Sequence, residues 1–180
     1  MFSLSEEEQC LLLKLARATL VSLLAQTKAP RTEAFPARLQ ENHPCFVTLL
    51  TKSERLRGCI GTTSHHHPLC ENIVRFAEQA AFHDPRFRPL EVRELSQIVI
   101  HISVLGPLVP LENPDSLQLG KQGLVVSYKD HRGLLLADLP VRYQWSVEGF
   151  MNQTCQKAGL DPASAKLYRW ECFDEISFSE

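Results

Sequence analysis

Cys59 stands two residues after a cation and between two glycines, in the run Leu56-Arg57-Gly58-Cys59-Ile60-Gly61-Thr62. A thiol attacks as its thiolate, and a neighbouring guanidinium favours that form. If the run is a strand, Arg57 and Cys59 project to the same face. Gly58 and Gly61 allow close approach of backbone or ligand, which makes both candidate substrate contacts. The plain alternative is a packed thiol beside a bulge, because free cysteines are most often buried.

A second run, Ala80-Ala81-Phe82-His83-Asp84-Pro85-Arg86-Phe87-Arg88-Pro89, combines an acid, two arginines and two prolines. Asp84 can hold a guanidinium in a bidentate pair, with Arg57 and Arg86 as the two candidates. Arg86 is equally suited to a substrate carboxylate or phosphate. His83 is a candidate base for Cys59 if the fold brings the two together. Against these stands a loop held by an ordinary ion pair.

Other combinations lead to no chemistry. His65-His66-His67 invites a metal, but adjacent residues on an extended chain alternate faces, so at most two converge. No HExxH and no CxxC is present, so neither a metal nor a cofactor is expected. Gly120-Lys121-Gln122-Gly123 lacks the spacing of a phosphate-binding loop and reads as a turn with Lys121 exposed. No GxSxG elbow occurs. The late aromatics Trp145, Phe150, Trp170, Phe173 and Phe178 have strands without interleaved basic residues, apart from Arg169 before Trp170, and read as core or rim of one lobe.

The elements that must position these residues follow from periodicity and breakers. Ser5 with Glu8 forms a capping box for a helix over 5–26, whose stripe is Leu13, Ala16, Leu20, Leu23 and Leu24. Prolines 30, 36 and 44 break the next stretch. Strands are predicted over 45–51 and 56–60, joined by the polar 52–55 turn. A helix over 69–82 ends at Asp84-Pro85. The strand over 97–105 sets Ile98, Ile100, Ile102 and Val104 on one face and Val99, His101, Ser103 and Leu105 on the other. Strands over 124–129 and 133–137 flank a turn at 130–132. A last helix runs from Ser146 to Gly159, and two late strands cover 167–173 and 175–178. Strict βαβ alternation is missing, which favours α+β with a mainly antiparallel sheet and packed helices.

Composition bounds the class. The 180 residues suit one domain, or two lobes sharing a core. A hydrophobic share of 44% argues against disorder. The formal charge of −2 supplies no field for nucleic acid, and no apolar run approaches a membrane span. The first charges are Glu6, Glu7 and Glu8, unlike a signal peptide. A soluble, cytoplasmic protein with reduced thiols is expected.

The run LRGCIGT at 56–62 resembles the hallmark motif of the AMMECR family, of the AmmeMemoRadiSam system protein A type. Phe46-Val47-Thr48-Leu49, Pro68-Leu69, Ala80-Ala81, Asp84-Pro85-Arg86-Phe87, Ile102-Ser103-Val104-Leu105, Gly120 with Gly123, and Lys157-Ala158-Gly159-Leu160 agree in order and spacing. The segment Leu135-Leu136-Ala137-Asp138-Leu139-Pro140 departs, with its proline displaced. The resemblance implies a two-lobed α+β fold whose lobes flank a cleft near the motif. It also implies two partners, a Memo-type protein similar to extradiol dioxygenases and a radical SAM enzyme. Beside the residues, it points to binding or modification of a small anionic or peptide-like substrate. In that reading Cys59 and His83 are catalytic, while Arg57, Gly58, Gly61, Asp84 and Arg86 bind. The alternative is a non-catalytic interaction or scaffolding module.

Overall fold

The computed structural model describes residues 3–180. The described chain forms two compact units, residues up to Leu105 together with Ile176–Glu180, and Gly106–Glu175.

In the first unit, helix α1 (Glu6–Leu24) begins at the Ser5–Glu8 capping box. It buries Leu12, Leu15, Ala16, Thr19 and Leu20, so the buried stripe is rotated from the sequence expectation. Leu13 and Leu24 pack only in part. Strands β1 (Cys45–Thr51) and β2 (Leu56–Gly61) form a hairpin, and β1 pairs on its other side with β3 (Ile98–Leu105). Both pairings are antiparallel. Alternation then decides the faces. Cys45, Val47, Leu49, Ile100, Ile102 and Val104 are fully buried on one side. They share a core with α1 and with α2 (Leu69–Phe82). Each such side chain contributes roughly 1.5–3 kcal/mol of burial.

Helix α2 lies close against β2 because Gly58 has no side chain. A Cβ there would sit 2.0 Å from the Ala80 carbonyl oxygen. Beyond α2, residues 83–94 return along β2 and end in a single helical turn at Val92–Glu94. Leu90 anchors this segment in the core and donates its N–H to Ala81 O at 2.8 Å. Arg17 of α1 ties Leu95 O and Ile98 O to the terminal Glu180 carboxylate.

The second unit contains β4 (Val109–Pro110), β5 (Gln122–Tyr128), β6 (His131–Leu135), α3 (Asp138–Arg142), α4 (Val147–Ala158) and most of β7 (Arg169–Ser179). β5 pairs antiparallel with β6 and β7, and β4 pairs antiparallel with β7. Phe150 of α4 is wholly buried with Leu124, Leu135 and Cys172. Ser146 caps α4, and Gly159 ends it with φ +68°.

The α+β class with an antiparallel sheet and packed helices agrees with the sequence expectation. Two local readings need correction, and one stretch gains an element. The two late strands are one, because Asp174 stays in register opposite Gln122 and its carbonyl accepts from Gly106 N–H. The turn between β5 and β6 lies at Lys129-Asp130, with Lys129 at φ +51°. The stretch around the displaced proline is the short helix α3, with Pro140 buried.

Gly58 tests the helix-to-strand approach. Gly58→Ala is expected to cost about 3 kcal/mol and lower the melting temperature by roughly 6–12 °C, since backbone must move. Gly149→Ala in α4 meets only ordinary contacts and is expected to be neutral or stabilising by up to about 1 kcal/mol. Thermal melts by far-UV circular dichroism compare the two.

Candidate functional site

β2 is the edge strand beside β1. An edge leaves alternate N–H and C=O groups without a strand partner. At Cys59 both outward groups are taken by side chains. Its N–H donates to Asp84 Oδ2 at 2.9 Å, and its carbonyl accepts from Arg86 Nη2 at 3.1 Å. Asp84 and Arg86 bind each other through two further contacts, Nε to Oδ1 at 2.9 Å and Nη2 to Oδ2 at 2.7 Å. The Arg86 N–H adds a third to Oδ1 at 3.1 Å. The Asp84 side chain is 1% exposed, while that of Arg86 is 54% exposed. The Arg86 guanidinium, with the two backbone N–H groups, holds the Asp84 carboxyl well below the usual carboxylate range despite burial.

Arg57 behaves differently from the sequence expectation. Leu49 pairs with Gly58 and Leu50 with Leu56, so Arg57 is the extra residue of a β-bulge. A bulge breaks side-chain alternation and re-aims the residue it contains. Arg57 turns to Glu94, with Nε to Oε1 at 2.8 Å and Nη2 to Oε2 at 3.0 Å, and donates to Arg88 O at 2.9 Å. Arg57 in turn holds Glu94 down to about 2. Of the two candidates for Asp84, Arg86 is therefore its partner.

Both guanidiniums approach one ring. Arg57 Cζ lies 6.0 Å and Arg86 Cζ 5.5 Å from the centroid of Phe87. These three residues, with Arg88, Pro89, Glu91 and Glu94, line a cavity of about 310 Å³. Three cations and two carboxylates thus share one wall system, and two of the cations are fixed in place.

The Cys59 side chain is half-buried, and Thr48 Oγ1 donates to its sulfur at 3.2 Å. Gly61 is packed, since a Cβ there would meet Cys45 O and the Phe46 ring at 2.4 Å. Gly58 faces α2 in the same way. The two glycines therefore shape the strand. His83 is exposed at the end of α2 and lies 3.9 Å from Glu78. His65, His66 and His67 are exposed. Asn72 supports their loop, donating its amide to His67 O and His43 O. Glu94, Thr48 and His101 escaped the sequence reading of the site. Glu94 carries a capping-box signal with Glu91. Thr48 and His101 become neighbours only through strand register.

The AMMECR1 family model matches residues 13–178. Protein MJ0810 of Methanocaldococcus jannaschii is 37% identical over 187 residues, covering 96% of this chain and 92% of that protein. A protein of Aquifex aeolicus is 41% identical over 134 residues, covering 71% and 69%. The crystal structure of the uncharacterized protein PH0010 from Pyrococcus horikoshii superposes with a TM-score of 0.91 at 32% identity, covering 99% of this chain and 94% of that one. Among the described residues no helix is long and apolar enough to cross a membrane.

The depressed Asp84 gives a signed pH dependence. Its folded value lies below the unfolded value of about 3.9, so its stabilisation is complete above that pH and is lost as pH falls further. Asp84→Asn is expected to cost about 2–3 kcal/mol at neutral pH, less than a fully buried pair because Arg86 meets solvent. It should also flatten the fall in melting temperature below about pH 4, leaving the part due to Glu94. Melts of both proteins across the acid range check this; an equally steep fall in the variant contradicts it.

Proposed function

The chain belongs to the AMMECR1 family, and on the geometry above we propose that it binds a small anionic or peptide-like ligand beside the LRGCIGT strand. The observation that supports this most is the pair of immobilised guanidiniums, Arg57 and Arg86, at either end of contacts to Phe87 in one cavity wall. Each is held bidentately by its own carboxylate, so binding would cost little side-chain ordering. A planar guanidinium matches a carboxylate or phosphate. Glu91 on the same wall, ion-paired among the described residues only with the exposed Arg93, suits an ammonium group, which favours a ligand of mixed charge, such as a short peptide, over a simple polyanion. Exposed Arg88 adds a third cation to the cavity without a role in the clamp on Cys59.

A second reading has its own support. An apolar groove of about 540 Å³ along α1, lined by Cys10, Leu13, Lys14, Arg17, Ala18 and Val21 among others, favours an interaction module. A Memo-type protein and a radical SAM enzyme, implied by the family resemblance, are the partners to test under either reading. Co-purification with each would address that point.

Isothermal titration with inorganic phosphate, succinate and a dipeptide tests the ligand reading directly. Binding in the millimolar range or tighter is expected, with Arg88→Ala weakening it by about tenfold, the loss of one charge contact. No heat with any probe up to about 10 mM would count against the site.

A further inference from the structure

Four of the six cysteines, Cys45, Cys70, Cys155 and Cys172, are buried, and burial pushes each of those thiols up. Cys10 is exposed and Cys59 half-buried. Cys59 differs from all the others in how it is held. Its N–H and its carbonyl are both clamped, by Asp84 and Arg86. Its sulfur accepts the Thr48 hydroxyl from the paired strand. The Arg86 guanidinium that holds the Cys59 carbonyl is itself paired with Asp84, which raises it. A hydroxyl donor on the sulfur and a cation on the same residue's carbonyl thus flank one partly accessible thiol. The same Arg86 lines the ligand cavity.

We propose that Cys59 is a nucleophile for carbon electrophiles that carry a carboxylate or phosphate, with Arg86 holding the anion and Thr48 supporting the sulfur. In its anion preference the inference rests on the ligand reading above; in its thiol it goes beyond it. The sulfur attacks the electrophilic carbon, the C–S bond forms, and the bond to the leaving group breaks. The leaving group departs with the electron pair of that bond, and the thiol proton passes to solvent. Thr48 is a positioning residue in this scheme.

Iodoacetate and iodoacetamide serve as probes, since they differ in charge and share the same carbon and the same iodide leaving group. Rates at each cysteine of the native protein are read by mass spectrometry, with 2-mercaptoethanol as the uncharged reference. Cys59 is expected to react before the four buried thiols. Its iodoacetate-to-iodoacetamide ratio should exceed that of the reference by at least about fivefold, the effect of one nearby fixed charge. Thr48→Val should slow both reagents at Cys59 to a similar degree and keep the ratio. Protection of Cys59 until unfolding overturns the inference, as does a ratio equal to the reference. Titration of the native protein with phosphate separates the two ideas: binding retained while Cys59 is inert leaves the ligand reading standing and removes the nucleophile.

Discussion

An edge strand with its outward polar groups answered by side chains is the constraint on which the first unit depends. β2 cannot take another strand at Cys59, because a carboxylate and a guanidinium already occupy its N–H and C=O. This satisfies the backbone without extending the sheet and removes a template for edge-to-edge pairing. Asp84 must be ionised and buried to accept four hydrogen bonds from two residues, Cys59 and Arg86, and Arg86 is what keeps it ionised. The charged pair and the strand edge therefore stand or fall together.

That device explains the rest of the segment. For Asp84 to reach Cys59, the end of α2 must lie close to β2, which Gly58 permits by leaving the Ala80 carbonyl unobstructed. Leu90 then draws the returning chain into the core. The bulge at Arg57 lets a second guanidinium reach Glu94 and Arg88 O, so the returning segment is tied to β2 twice. The outcome is a cluster of arginines whose positions are set before any ligand arrives. Such fixed charges are more useful for recognition than mobile surface ones, which lose rotamer freedom on binding.

The proposed sulfur chemistry and the proposed ligand recognition share Arg86. Its half-exposed guanidinium serves two neighbours, the Asp84 carboxylate and the Cys59 carbonyl. A planar group with five donors can do this where an ammonium could not. The second unit shows the more ordinary pattern, with a capped helix laid on an antiparallel sheet around Phe150.

Local signals were legible in the chain itself. The capping box at Ser5, the alternation of Ile98 to Val104, the breaker after Phe82 and the Ser146 and Gly159 ends of α4 depend on neighbours within a few residues, and all appear as expected. The sequence by itself also singled out Arg57, Cys59, Asp84 and Arg86, and it allowed Asp84 either arginine. Only the tertiary structure chose Arg86, because the bulge that carries Arg57 off to Glu94 is a property of strand register. It likewise set Thr48 against the Cys59 sulfur across 11 positions of chain, and Glu94 against Arg57 across 37. Pairings at that separation are decided by how strands and helices pack, which no local pattern of residues encodes.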